Sequence, residues 1–463
     1  MFIWGHVAMS SVATLQPGTG AVHRAEIDSI ATGGAGVARL EGRVVFIPRT
    51  VPGDSVRFRI SEDKGRFLRG EIEEIESPGA SRREPPCPHW ASCGGCPLQQ
   101  MTPEAQAESK KQIFLDAVAR IGKIDIDIEP EIIAASAPEF AYRMRARFQI
   151  KHGRIGFFAP GTRKLIPIEG CLLVEESIRA AFAEIREFLK LERAARVLEA
   201  VEISSLGDKP DKGAGLFLYP IGWHDNGHGT ISKKTRRAWE VFSEKNGWPL
   251  AAAGGRKPAE PPSWKSSYEL KTSTNETAIL QVSPEAFLQP NRRVNESIVR
   301  AVLEMAALPE GGRAVDLFCG AGNFAVPLAE KAARIVGVES NQFAVKDAEV
   351  NAKQAGLKNT HFIKSEAGRV EANTIEDALG GKPDLVLLDP PRPGALETIP
   401  LAVALKPNRI VYVSCNPATF ARDARELSDA GYRMEAAFIA PMFPNTAHVE
   451  SVTSWAFDSS TAP

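Results

Sequence analysis

The chain is expected to be a multidomain α/β protein with three parts: a small N-terminal β-barrel, a central α+β region with a cysteine cluster, and a C-terminal doubly wound sheet. Three observations lead there. Short strand-like runs separated by Gly and Pro-Gly turns fill residues 24–76. Cys87, Cys93 and Cys96 crowd the segment that follows. From about residue 276 onward, apolar strand-like runs alternate with helical stretches, the pattern of a largely parallel sheet. The expected boundaries are 24–76, 77–275 and 276–460. A chain of 463 residues is long enough for two to four domains with ample core.

In the first part, strand-like runs at 43–48 and 55–60 are punctuated by Gly33-Gly34 and Pro52-Gly53. This suits a small closed barrel of the oligonucleotide-binding kind. Lys64, Arg66 and Arg69 cluster near its end, but Glu71, Glu73, Glu74 and Glu76 follow, so a solvated mixed-charge face is the simpler reading. In the second part, residues 103–122 read as a helix. Residues 141–158 read as strands, with Arg143, Arg145 and Arg147 on one face. Beside aromatics, such a ladder suits RNA phosphates and stacked bases, or merely an exposed antiparallel face. Residues 175–200 read as an amphipathic helix, and 247–263 as a Gly/Pro-rich loop. The third part reads as strands at 313–318, 334–339, 384–388 and 409–414, with helices at 323–333, 342–355, 397–405 and 417–430.

Composition narrows the function classes. The net charge of -1 excludes a global basic field, so any nucleic-acid contact must use local patches. No apolar run approaches the ~20 residues needed to span a bilayer, and no membrane partner is expected. The first nine residues lack a basic start and a cleavage pattern, so no secretory signal is expected; Met1 and Met9 both remain open as starts. The six Cys, at 87, 93, 96, 171, 319 and 415, are too unevenly spaced for a secreted disulfide framework. A reducing cytoplasm is the expected compartment.

Four motifs carry chemistry. Asp316-Leu-Phe-Cys-Gly-Ala-Gly-Asn-Phe324 is a strand end, a glycine turn and a helix start. Gly320 and Gly322 let a ligand approach the backbone, and Glu339, at the end of the next strand, can accept both ribose hydroxyls of an adenosine. A nicotinamide cofactor is the rival, though no third Gly follows in dinucleotide spacing. Asp389-Pro-Pro-Arg-Pro-Gly394 puts an acid at a strand end and stiffens the loop after it. Ser414-Cys-Asn-Pro417 puts a thiol at a strand's carboxyl end, facing the crevice where open α/β sheets bind ligands. His448-Val-Glu450 offers a carboxylate from a separate segment. A thiol and a carboxylate are what methylation of uracil carbon 5 requires. Thiolate addition at carbon 6 makes carbon 5 nucleophilic, and a base must then remove the carbon 5 proton. Cys415 supplies the thiol and Glu450 the carboxylate; His448 competes as base.

Together with Phe287-Leu-Gln-Pro-Asn291, these motifs stand in the order of the RNA uracil-5-methyltransferase family, which the chain resembles over nearly its whole length. The resemblance implies a class I, Rossmann-like methyltransferase domain that uses S-adenosyl-L-methionine. It implies Cys415 as nucleophile and Glu450 as base, with Gln289, Phe318, Asn323, Glu339 and Asp389 lining the cofactor pocket. A position near Ser365 or Glu366 would contact the adenine, and Cys319 would only pack. Arg392 stands where base-amino methyltransferases tend to carry an aromatic, which favours methylation of carbon. Cys87, Cys93 and Cys96 with the remote Cys171 leave four thiols for one centre. Zinc is open, but the spacing is nearer to [4Fe–4S] ligation, and ribosomal-RNA members of the family carry such a cluster. Residues 24–76 look like the TRAM domain that some members place before it. The expected substrate is RNA, with 23S ribosomal RNA favoured and transfer RNA possible, and a monomer is expected. RNA cytosine-5 methylation and a non-catalytic iron–sulfur RNA-binding protein are the alternatives.

Overall fold

The structure is a computed structural model that describes residues 21–134, 136–207, 213–221, 229–253, 264–272, 274 and 276–458. The chain divides into two compact units: residues up to 84 with 97–102, and residues 85–96 with 103 onward.

The first unit is a six-stranded sheet. Its strands are β1 (Val22–Glu26), β2 (Ser29–Ile30), β3 (Ala35–Leu40), β4 (Arg43–Pro48), β5 (Ser55–Asp63) and β6 (Phe67–Ser77), in the order β1-β5-β6-β4-β3-β2. Period-2 alternation sends Val45 and Ile47 of β4, and Val56 and Phe58 of β5, into one small core with Ile27, Ala38 and Leu68. On the outer face, Arg57 pairs with Glu74, Arg59 with Glu73, and both Lys64 and Arg69 with Glu62. The mixed-charge face seen in the sequence is therefore a set of surface ion pairs.

The first helix of the second unit is Pro103–Ala117, which widens into a π turn at Val118–Gly122. A short strand β7 (Glu131–Ile132) follows. A second six-stranded sheet comprises β8 (Arg145–Lys151), β9 (Arg154–Phe158), β10 (Leu165–Pro167), β11 (Ala200–Ser205), β12 (Ala214–Tyr219) and β13 (Leu250–Ala252), ordered β10-β9-β8-β11-β12-β13. The helix expected over 175–200 is shorter, Glu176–Leu191, because its last stretch becomes a 3-10 turn and the start of β11. It buries Ile178, Phe182, Ile185 and Leu189 at helical spacing against this sheet. Of the loop expected over 247–263, Leu250–Ala252 forms β13, and residues 254–263 lie outside the described residues. Residues 1–20, with both candidate starts, also lie outside them.

A hairpin of β14 (Ser266–Lys271) and β15 (Thr277–Val282) leads into the last region, so the change of texture near residue 276 falls in its turn. Then come β16 (Arg313–Leu317), β17 (Arg334–Glu339), β18 (Thr360–Lys364), β19 (Leu385–Leu388), β20 (Arg409–Ser414), β21 (Tyr432–Ala440) and β22 (Glu450–Phe457). With β7 they form one eight-stranded sheet ordered β18-β17-β16-β19-β20-β22-β21-β7. The strands β16 to β20 pair in parallel, and β22 returns antiparallel beside β20. Helices Arg292–Ala306, Ala325–Ala329, Gln342–Gln354, Ala372–Leu379, Ile399–Ala404 and Pro417–Asp429 connect and flank the strands. The helix expected over 323–333 is a five-residue piece, Ala325–Ala329.

The chain lays β16, β17 and β18 outward in one direction, then returns to place β19 on the other side of β16. The carboxyl ends of β16 and β19 are thus a topological switch point, the place where such sheets open a crevice.

Candidate active site

The cleft at that switch point has a volume of about 1850 Å³. That exceeds the ~300–1,000 Å³ typical of a single small-molecule site and leaves room for two occupants. Gln289, Phe318, Asn323, Glu339, Asp389, Cys415 and Glu450 all line it, as do Ser365 and Glu366. The sequence spreads these residues over about 160 positions; the fold brings them to one opening.

The loop after β16 forms one end. Phe318 sits at φ 76°, a left-handed conformation that is costly for a bulky residue, and Gly320 and Gly322 follow at φ 54° and 91°. A side chain on Gly322 would place its Cβ 2.9 Å from Val326. The loop is braced from below. Gly320 N donates to Glu339 Oε2 at 3.2 Å, and Asn341 N donates to Glu339 Oε1 at 2.6 Å, which fixes the carboxylate at the end of β17. Asn323 is held by two partners that sequence reasoning missed. Its amide pairs reciprocally with Asn295 at 2.8 and 3.0 Å, and Tyr268 OH donates to its Oδ1 at 2.9 Å. Cys319 is buried beneath the loop.

The reactive end lies between β19, β20 and β22. Cys415 follows the last residue of β20 and precedes Asn416, whose side chain caps the helix Pro417–Asp429 by accepting from Ala418 N at 3.1 Å. The loop after Asp389 is tied to that helix. Asn416 Nδ2 and Thr419 Oγ1 each donate to the Arg392 carbonyl at 3.1 Å, and Arg422 Nη2 donates to the Pro393 carbonyl at 2.8 Å. Asp423, fully buried, accepts from Ala395 N at 2.6 Å and from Tyr412 OH at 2.7 Å. Asp389 and Cys415 therefore sit on one braced frame.

The electrostatics separates the candidate bases. Burial, with Glu450 and Asp389 nearby, pushes the Cys415 thiol up to about 11. Burial alone lifts Asp389 to about 7. Burial and Asp389 hold Glu450 well above the ordinary carboxylate range, opposed by Lys110. A raised carboxylate is a stronger base than a free one. His448 goes the other way: burial first, then Arg392, Arg143 and Lys110, push it down to about 4. Its Nε2 also lies 3.0 Å from Arg392 Nη2, and a guanidinium can only donate, so that nitrogen's lone pair is taken. Glu450 is the better-placed base of the two.

The cysteine cluster lies in the same unit. Gly94 N donates to Phe158 O at 3.1 Å, and a Cβ on Gly94 would fall 3.0 Å from that oxygen, so the loop carrying Cys93 and Cys96 lies directly against β9. The thiols of Cys93, Cys96 and Cys171 are raised by burial, and Cys96 feels all of Cys87, Cys93 and Cys171. Arg143 acts on Cys96 and Cys171 and also lines the active-site cleft. Among the described residues, no group of three His, Cys, Asp or Glu side chains is arranged to hold a metal ion.

Comparison with known proteins places this arrangement. The chain is 32% identical, over 92% of its length and 94% of the relative's, to the 23S rRNA (uracil(1939)-C(5))-methyltransferase RlmD of Aeromonas salmonicida. It is 33% identical, over 95% of its length and 94% of the relative's, to the enzyme of the same name from Pseudomonas putida. The chain belongs to the RNA uracil-5-methyltransferase family. The tRNA (Uracil-5-)-methyltransferase family model matches residues 268–454, and a TRAM domain model matches residues 19–72. The first unit thus contains a TRAM domain, and the eight-stranded sheet is the methyltransferase fold of an S-adenosylmethionine-dependent family. The crystal structure of Pyrococcus abyssi tRNA (uracil-54, C5)-methyltransferase in complex with S-adenosyl-L-homocysteine shares that fold. It superposes with a TM-score of 0.69 at 23% identity, covering 94% of this chain and 99% of that one. No helix among the described residues is long and apolar enough to cross a membrane.

Proposed function

We propose that this protein methylates carbon 5 of a uridine in 23S ribosomal RNA, with Cys415 as nucleophile and Glu450 as base. The observation that carries the reading is the shared cleft: a thiol, a buried carboxylate and the Phe318–Gly322 loop all open into one space. The braced Glu339 suits a ribose, Gln289, Phe318 and Asn323 suit the rest of an S-adenosylmethionine, and Ser365 or Glu366 suits its adenine. When bound, S-adenosylmethionine supplies the electrophilic methyl group.

The protein's own groups perform the other steps. The flipped uracil enters beside Cys415; extrusion costs a few kcal/mol, about what stacking and pocket contacts return. The Cys415 thiol loses its proton to solvent water, its sulfur bonds to carbon 6, and the C5=C6 electron pair moves toward the carbon 4 oxygen as an enolate. Carbon 5 then takes the methyl group. Glu450 removes the carbon 5 proton, that C–H electron pair restores the C5=C6 bond, and Cys415 leaves as thiolate. Asp389 and Glu450 both disfavour ionised Cys415 in the empty site, which keeps the thiol protonated until a substrate arrives.

Cys87, Cys93, Cys96 and Cys171 would hold a [4Fe–4S] cluster in the central domain. The buried thiols of Cys93, Cys96 and Cys171, with Cys87 acting on Cys93 and Cys96 and Arg143 acting on Cys96 and Cys171, are a donor set that suits a cationic centre. The cluster spreads its ligands over separate irons, so it does not need the tight convergence that a single zinc ion does. We assign residues 24–76 to RNA contact, 77–275 to the cluster-bearing domain and 276–460 to catalysis. The protein would act in the cytoplasm as a monomer. The test is mass-spectrometric mapping of 5-methyluridine in RNA from cells lacking the gene. One position in 23S ribosomal RNA should lose its methyl group and regain it with the wild-type gene but not with Cys415→Ala. Loss confined to transfer RNA, or no loss, would contradict the reading.

A further inference from the structure

The helix Pro103–Ala117 buries Gln106, Lys110, Ile113, Phe114 and Ala117 on one face, two of them polar. Gln106 and Lys110 stand one turn apart and grip the segment just before Glu450. Gln106 Nε2 donates to Asn445 Oδ1 at 3.1 Å, and Asn445 N donates back to Gln106 Oε1 at 2.7 Å. Lys110 Nζ donates to the Phe443 carbonyl at 2.8 Å. Tyr142 OH donates to the Pro444 carbonyl at 3.2 Å.

Lys110 is 1% exposed. A carbonyl alone is a weak partner for a buried ammonium, and such a charge persists only beside an opposite one. Glu450 is the acidic group that acts on it. Burial lowers Lys110 to about 7, and Glu450 draws it back up. Around Glu450, Asp389 opposes ionisation and Lys110 favours it, and the Cys415 thiolate would add to the opposition. His448, the other titratable group on this segment, is repelled from its charged form by Arg392, Arg143 and Lys110 and stays neutral.

We propose that Lys110 is a positioning residue for the proton-removal step: it fixes the segment that carries Glu450 and places there a positive charge that favours the ionised form of Glu450. This rests on Glu450 being the base. In that step the C5–H bond breaks, its proton goes to Glu450, its electron pair forms C5=C6, and the C6–S bond breaks to release the Cys415 thiolate. Without Lys110, Glu450 holds its proton to higher pH and cannot accept another.

The experiment uses the full-length protein, a 23S ribosomal RNA transcript fragment and S-adenosylmethionine, with Lys110→Met and Lys110→Arg. Lys110→Met should lower kcat about tenfold and move the acid limb of its pH profile up about one unit, with KM for RNA within about twofold. The methylated Cys415–RNA adduct should accumulate, and Lys110→Arg should restore most of the rate. Lys110→Gln keeps a donor for the Phe443 carbonyl without the charge and carries the same comparison if Lys110→Met does not fold. A wild-type rate in the uncharged variants, or a lost rate with no adduct and an unmoved profile, would overturn the proposal. If wild type makes neither methylated uridine nor adduct, the reading of the site falls first and the proposal with it, before any Lys110 variant is compared.

Discussion

Cys415 is a thiol at neutral pH, and its neighbours keep it so. Burial first, then Glu450 and Asp389, raise it to about 11. Its thiolate fraction therefore climbs roughly tenfold per pH unit below that value. In single-turnover mixing, the rate of Cys415–RNA adduct formation should rise between about pH 7 and pH 9. A flat rate across that range would mean that thiol ionisation does not limit addition. At this scale the sequence was most legible. Both proposed reactive groups stand in short motifs, and both line the cleft. His448 against Glu450 stayed open because the deciding contact, Arg392 Nη2 on His448 Nε2, joins residues 56 positions apart. Tyr268 and Asn295, which hold Asn323, were invisible for the same reason.

At the scale of elements, the glycine loop makes the sharpest prediction. Gly322 combines φ 91° with a Cβ path blocked at 2.9 Å by Val326. Gly322→Ala should cost about 1–2 kcal/mol of strain in the bound loop and weaken S-adenosylmethionine about tenfold by calorimetry. An unchanged affinity would show that the loop is not the cofactor's cradle. Four of the parallel strands were readable because each is a short apolar run: the edges of β16, β17, β19 and β20 fall within a residue of expectation, whereas β18, Thr-His-Phe-Ile-Lys, was not expected. The strand β22 was not. Ser451, Thr453 and Ser454 interrupt its apolar pattern, yet all three are buried. Thr453 spends its hydroxyl on the Tyr412 carbonyl and accepts from Trp455 Nε1, so that hydroxyl is satisfied inside. The hairpin β14–β15 escaped notice because Ser and Thr flank its alternating Tyr268, Leu270, Ala278 and Leu280.

For the whole molecule, the question is what joins the cysteine quartet to catalysis. Arg143 acts on Cys96 and Cys171 and also lines the cleft. Anaerobically purified protein should be brown with about four irons per chain, and Cys171→Ser should lose most of that iron. Stoichiometric zinc in the wild type would contradict the assignment. The Arg143–Arg145–Arg147 ladder was readable as a basic face, but not its use. Arg145 turns inward to the Ala286 carbonyl at 2.7 Å, and Arg147 stacks 3.8 Å over Tyr219, so the ladder shapes a cleft wall.

The central claim is that Cys415 adds to the uracil and Glu450 ends the adduct. Glu450→Gln keeps the side chain's shape and removes the base. Incubated with 23S ribosomal RNA and S-adenosylmethionine, it should yield an adduct that survives denaturing gels. After nuclease and protease digestion, mass spectrometry should find the Cys415 peptide joined to a uridine carrying one added methyl group. A wild-type turnover with no adduct, or a nucleotide bound to any other residue, would contradict it.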